Sequence, residues 1–377
     1  MKIAMIGQKR IPSGEGGVEK TVEEISRRLV ERGHTVTVYN RFGHNIFGIE
    51  YDRPVEGGSW QGIAVRYIKA PEGRAQVPVY SRRAVRQAVR DGADVIMLHA
   101  SGSSLRAGMV RRAHIPCICM LHGIDSRRDK WGRFAAWYLR RGERAAMTRA
   151  DACIVLSENM KKELENAYGG QAIVGFNGVD KPETATGDGL LKQYGLTSGE
   201  YILWTGRLVP EKGLQLLIPA FKNCNTEKKL VIAGGKECRY PSFSRQVEEM
   251  AAGDSRIIMT GYIARERLSE LYQHAYACVY PSLLEGMSHA LLEALSCGRC
   301  CLVSDIPENT ETAGNHAVTF RSGDVTDLQS KLQQLLDDPE MADSVSQGAA
   351  EYITAKYSWD KSTDQIETLC ENLAAGK

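Results

Sequence analysis

The chain has no run of eighteen apolar residues, so no segment reads as a membrane-spanning helix. Its first residues pass directly into a strand pattern, Lys2 to Ile6, without a cleavable export signal, and the chain reads as cytoplasmic. After that strand there is no Gly-x-Gly-x-x-Gly, which argues against an NAD-dependent oxidoreductase. Nor is there a Gly-x-x-x-x-Gly-Lys-Ser/Thr phosphate loop. No Asp-x-Asp follows a strand where a metal-bound nucleotide would sit, so the expected chemistry needs no metal and no cofactor. Aromatic residues make up only 7% of the chain, and neither a basic-aromatic platform nor a helix-turn-helix pattern points to nucleic acid. Cys297-Gly298-Arg299-Cys300 has the spacing of a zinc half-site. It lacks a second pair, so the ten cysteines read as free, mostly buried thiols of a reducing compartment.

What is present is alternation. Apolar runs of four to seven residues, each followed by a helical period, recur throughout, which predicts parallel sheets covered by helices. The front series is Lys2 to Ile6, Thr35 to Tyr39, Ala64 to Ile68, Asp94 to His99, Pro116 to Leu121, Ala152 to Leu156 and Ala172 to Gly175. The stretch Lys181 to Gly189 is a linker in composition. A second series follows: Tyr201 to Thr205, Lys229 to Ala233, Arg256 to Thr260, Ala277 to Tyr280, Cys300 to Ser304 and Ala317 to Phe320. Three helices, Val325 to Leu336, Pro339 to Lys356 and Ser358 to Ala374, close the chain. A length of 377 residues accommodates two such domains at roughly 100–200 residues each.

The net charge of +2 hides an asymmetry. Residues 1–185 hold 30 Lys and Arg against 20 Asp and Glu, and the remainder hold 18 against 26. A basic front half fits an anionic partner, either nucleic acid or an anionic bilayer carrying a lipid-pyrophosphate acceptor.

The densest chemical signal is Pro281 to Gly298. Glu285 falls in the loop past the strand ending at Tyr280, at the carboxyl edge where open α/β sheets bind ligands. Ser288 is placed to cap the next helix, whose unpaired N–H groups and partial positive charge suit a phosphate. Glu293 lies about one turn inside, among Met287, Ala290, Leu291, Leu292, Ala294 and Leu295, where a lone carboxylate needs a partner. Glu285 is thus a candidate for a sugar and Glu293 for a ribose. Singly, each is also an ordinary loop or helix glutamate.

This pattern resembles the Glu-x7-Glu signature of retaining glycosyltransferases of family 4, with the GT-B fold. The likeness runs nearly end to end, through Met1 to Gly7, Glu15-Gly16-Gly17-Val18-Glu19 and Arg32 to Tyr39. It extends to bacterial cell-surface polysaccharide members and their rhamnosyltransferase-like subgroup. The resemblance implies two doubly wound, Rossmann-like domains facing across a cleft. Residues 1–180 form the acceptor side and 181–357 the nucleotide-sugar side, and the helix 358–377 crosses back onto the first domain.

It also implies roles residue by residue. Arg207 and Lys212 meet the donor diphosphate, and the loop Glu285-Gly286-Met287-Ser288 meets sugar and phosphate. Gly16 and Gly17 approach the donor phosphate or the acceptor. His122 reaches the donor sugar, Asp125 and Lys130 lie toward the acceptor, and Tyr262 is near the base. His99 is a weaker candidate, and Asn177-Gly178-Val179-Asp180 matches an interdomain motif that is also a plain turn signal. Structural alternatives stand beside these: a basic loop with a salt bridge involving Glu211, a strand-closing histidine, a flexible diglycine turn. The implied activity is metal-independent, retaining transfer from a nucleoside-diphosphate sugar to a glycan or lipid-linked hydroxyl. Peripheral contact with the inner face of the membrane is an option the basic half leaves open. A non-catalytic nucleotide-sugar-binding regulator and a nucleic-acid-binding protein are the competing classes.

Overall fold

A computed structural model of the chain describes residues 1–13, 16–43, 58–128, 131–183, 187–238 and 240–376. The chain forms two compact units. Val179–Ser358 make up the second, and most of the chain before it joins Trp359–Lys377 in the first.

The first unit is built on eight strands: β1 (Lys2–Ile6), β2 (Thr35–Arg41), β3 (Ser59–Trp60), β4 (Ile63–Ile68), β5 (Val95–His99), β6 (Cys117–Leu121), β7 (Ala152–Val155) and β8 (Ile173–Val174). Their order is β3-β4-β2-β1-β5-β6-β7-β8. All neighbours are parallel except the β3–β4 pair. Strands β5 and β6 are buried along their whole length, as the continuous apolar runs Val-Ile-Met-Leu and Cys-Ile-Cys-Met-Leu require of a sheet covered on both faces.

The second unit carries β9 (Tyr201–Thr205), β10 (Lys229–Ala233), β11 (Ile257–Gly261), β12 (Ala277–Tyr280), β13 (Cys300–Ser304) and β14 (Val318–Phe320), ordered β11-β10-β9-β12-β13-β14 and parallel throughout. Strand order reverses between β1 and β5 in one sheet and between β9 and β12 in the other. Such switch points open a crevice at the strands' carboxyl ends.

The last helix, Trp359–Ala375, belongs to the first unit. Arg28 Nε lies 3.0 Å from Asp360, Arg32 reaches Asp364 at 2.7 Å and Glu367 at 2.6 Å, and Ser362 Oγ donates to the Phe176 carbonyl at 2.8 Å. Gly178 is not a turn residue. A Cβ there would come within 2.4 Å of the buried Trp359 ring, so the glycine is needed for close packing. Asn177 is buried beside it and accepts from Thr21 Oγ1 at 2.8 Å.

One predicted helix is two. Pro339–Ser346 and Ala349–Lys356 are separated by Gly348, whose φ of +75° breaks the helical path. All ten cysteines are free. Eight are buried, as expected of mostly buried thiols, while Cys238 is exposed and Cys297 half-buried.

Candidate active site

In the second unit, the loop after β9 and the loop after β12 meet at the switch point. Leu283 N–H donates to the Glu211 carbonyl at 2.8 Å, clasping the two loops together. Lys212 Nζ lies 2.5 Å from Glu285 Oε1, and the same oxygen accepts from Ser282 Oγ at 2.7 Å. Arg207 is paired not with Glu211 but with Glu237, 2.6 Å away and almost wholly buried beyond β10. Glu211, the neighbour a merely structural loop would use, leaves its Oε2 buried with no partner. Both predicted cations are therefore held by carboxylates. A guanidinium and an ammonium fixed in this way present charge without reorganising, which is what a departing diphosphate needs.

Ser288 caps the helix His289–Ser296 through its side chain, accepting the Leu291 N–H at 3.4 Å. Met287 is buried, with Gly286 before it in the loop. Glu293 has the partner its setting demands. Tyr272 O–H donates to Glu293 Oε2 at 3.2 Å and accepts from Thr205 Oγ1 at 2.6 Å, while Arg265 Nε stands 3.8 Å from Oε1. Burial and the Glu293 charge push the Tyr272 hydroxyl well above the ordinary phenol value, so it stays a donor. Glu237, Tyr272, Thr205, Ser282 and Arg265 were not singled out from sequence. Tyr262 follows β11 and is about half exposed.

In the first unit, the ends of β1, β5 and β6 converge. Gly7 has φ +134°, and a Cβ there would sit 2.1 Å from the His99 carbonyl, so only glycine brings β1 this close to β5. The register sets His99 beside Met120, two residues before His122. His99, the weaker candidate, is fully buried, its Nδ1 3.1 Å from His122 Nε2 and its Nε2 3.5 Å from the Met5 sulfur.

A thioether accepts and never donates. We therefore assign the proton of His99 to Nε2, so that His99 Nδ1 accepts from His122 Nε2–H. This leaves His122 Nδ1 as a lone-pair acceptor, and that atom is buried without a partner, ready for a hydroxyl. Burial pushes His122 down to about 4 against the pull of Asp125 and Glu19. Burial and His122 hold His99 well below the ordinary histidine value, so both rings are neutral near pH 7.

The remaining predicted residues of this unit are spread around that centre. Gly16 is the N-cap of the helix Gly17–Glu31 and supplies no side-chain cap. Glu19 on that helix accepts the Lys9 N–H at 2.8 Å. Asp125 opens a short 3-10 turn and pairs with Arg128 at 3.3 Å. The turn is anchored by buried Glu143, which accepts Ser126 N–H at 3.0 Å, Ser126 Oγ at 2.9 Å and Tyr168 O–H at 2.9 Å. Lys130, like Glu15, lies outside the described residues.

Among the described residues one group has the spacing of a metal site, His34 with Glu367 and Glu371. It sits before β2, at the sheet edge opposite the strands' carboxyl ends, and Arg32 and His34 already occupy Glu367. Burial raises Cys297 and Cys300 each to about 12, which disfavours the thiolates a metal would require.

The histidine pair makes a solution prediction. With pKa values lowered by folding, the unfolded chain binds more protons between about pH 4 and the ordinary value near 6.5. The stability contribution is therefore complete above 6.5 and lost as pH falls toward 4. Urea unfolding of wild type should weaken across that window more steeply than that of a His99→Gln/His122→Gln variant. Nitrogen-15 NMR should show an unprotonated Nδ1 on His122. A protonated Nδ1 overturns the tautomer assignment.

The chain is similar to known glycosyltransferases along both units. Residues 191–352 match the family described as glycosyl transferases group 1, and residues 15–181 match Glycosyltransferase Family 4. An uncharacterized glycosyltransferase of Methanocaldococcus jannaschii is 23% identical over 370 residues, 95% of each chain. The O-antigen chain mannosyltransferase B of Escherichia coli is 28% identical over 180 residues, 47% of each. The structure of Anabaena HepE in complex with UDP and glucose has the same fold, with TM-score 0.81 at 19% identity over 98% of this chain and 100% of that one. With a glycosyltransferase family matched on each unit, the chain is a glycosyltransferase with the GT-B fold. The histidine pair, the paired cations and the capped helix are accordingly parts of an enzyme.

Proposed function

We propose that this enzyme moves a sugar from a nucleoside-diphosphate donor, with retention and without a metal, to a hydroxyl of a lipid-linked glycan in polysaccharide synthesis at the cytoplasmic face of the membrane. The observation that carries the reading is the pairing of Arg207 with Glu237 and Lys212 with Glu285 at one sheet's switch point, beside a Ser288-capped helix. Related support comes from HepE, whose title names UDP and glucose, and from the O-antigen mannosyltransferase.

In this reading Arg207, Lys212 and the helix start take the diphosphate charge as the bond from the anomeric carbon to the phosphate oxygen breaks. Glu285 orients the sugar, Glu293 accepts a ribose hydroxyl, and His122 Nδ1 accepts a substrate O–H. The acceptor oxygen bonds the anomeric carbon on the face the diphosphate leaves, and its proton passes to a diphosphate oxygen. A uridine or deoxythymidine donor, rhamnose included, is the first to test.

A thermal-shift screen against UDP, TDP, GDP and ADP should give one clear rise, since a ligand held at a hundred times its Kd stabilises by about 2.7 kcal/mol. With that base on its sugar, NMR of the product should show the donor's anomeric configuration kept, and EDTA should leave the rate unchanged. Inversion, or loss of activity restored by a divalent ion, overturns the corresponding part of the mechanism. Donor binding without turnover identifies a regulator instead.

A further inference from the structure

The helix Arg133–Arg149 of the first unit carries a face that nothing in the reaction uses. Phe134 is 73% exposed and Trp137 48%, on a helix whose Leu139, Gly142, Ala145, Ala146 and Met147 are buried. On the same exposed face stand Arg133, Arg140, Arg141 and Arg144, at intervals that keep all six side chains within about a third of the helical circumference. The helix has one acid, Glu143, and it is turned fully inward to Ser126 and Tyr168. The outer face therefore combines two unburied aromatic rings with four arginines and no carboxylate. Among the described residues no ion pair involves any of the four.

We infer that this face docks on an anionic bilayer, Phe134 and Trp137 entering the headgroup boundary and the arginines binding lipid phosphates. The proposal deepens the reading of a lipid-linked acceptor and rests on it. Three features select a bilayer. Aromatic rings with arginines on one helical face suit the interface, where rings sit at headgroup level and arginine stems reach outward. A nucleic-acid platform needs open ring faces, but Trp137 is stacked by Phe134 at 5.7 Å and covered by the Arg141 guanidinium at 5.0 Å. A symmetric contact with a second copy would set four arginines against four, with no acid to relieve them. Among the described residues no helix is long and apolar enough to span the membrane, so surface docking is the mode these residues allow.

The test uses the full chain with vesicles of phosphatidylcholine alone and of phosphatidylcholine with phosphatidylglycerol in equal parts. Wild type should co-sediment with the anionic vesicles at low salt and be released by added salt, with tryptophan emission shifted to the blue on binding. Arg140→Gln/Arg141→Gln/Arg144→Gln should weaken partitioning on the order of a hundredfold, at about 1 kcal/mol per basic residue. Phe134→Ser/Trp137→Ser should weaken it and abolish the emission shift. Because all five positions are exposed, donor hydrolysis in solution should persist in both variants, which reports that each is folded. Vesicle binding unchanged by either variant, or absent in wild type, overturns the surface, as does binding of the wild-type face to an acidic protein or duplex with no vesicle binding. Failure of donor turnover in wild type with vesicle binding intact would count against the transferase mechanism and leave the docking surface standing.

Discussion

Arg207→Ala is expected to lower kcat/KM for transfer by roughly 100- to 1,000-fold, the loss of about 2.7–4 kcal/mol seen when one fixed donor to a developing oxyanion is removed. The reason lies in how the guanidinium is held. Glu237 is buried and takes one Nη at 2.6 Å, so the arginine is oriented before any substrate arrives. The same substitution leaves a buried carboxylate without its cation, and a fall in Tm should accompany the fall in rate. Breaking a fully buried pair costs about 3–5 kcal/mol, and with the Arg207 side chain about a third exposed the cost here lies below that range.

Arg207→Lys separates the two effects. It keeps a charge for Glu237 while losing the planar fork, so Tm should recover and the rate only in part. Lys212→Ala should also depress turnover, with Glu285 still held by Ser282. Steady-state kinetics with the nucleotide sugar found in the thermal screen, alongside melting curves, decide the matter. Unchanged turnover in either alanine variant removes that residue from the diphosphate.

The sheets were legible where their strands are continuous apolar runs, as burial on both faces imposes on β5 and β6. The short β3, Ser59–Trp60, was not, since two residues carry no period. Helix ends failed where one glycine decided the path, as at Gly348. At the site, the sequence exposed residues at strand ends and motif positions, Arg207, Lys212, Glu285 and His122 among them. It did not expose their partners. Glu237 lies thirty residues from Arg207 and reaches it only because β10 is β9's neighbour. His99 is joined to His122 by the β5–β6 register, and Met5, which fixes the tautomer, comes from a third strand. The Phe134 and Trp137 face was hidden for a similar reason, because which side of an arginine-rich helix remains uncovered depends on the helices packed against it.

Gly213→Ala is expected to be the most damaging glycine-to-alanine substitution in the second unit. Gly213 has φ +74°, where an L side chain costs roughly 1–2 kcal/mol. Its added Cβ would also lie 1.9 Å from the Pro281 carbonyl oxygen, a backbone atom that cannot swing aside. Overpacking of this kind costs about 1–3 kcal/mol more. Relief requires the two loops to part, which breaks the Leu283 to Glu211 bond and draws Lys212 from Glu285, so stability and catalysis should fall together. Gly253→Ala is the control. Its φ is +82° but nothing lies within 4 Å of a Cβ there, so it carries the backbone cost alone. Melting curves should therefore rank wild type above Gly253→Ala and Gly253→Ala above Gly213→Ala, with donor turnover lost only in the last. Equal melting of the two variants would mean that the loops yield without cost, and that the Lys212–Glu285 pair is not set by the contact of Gly213 with Pro281.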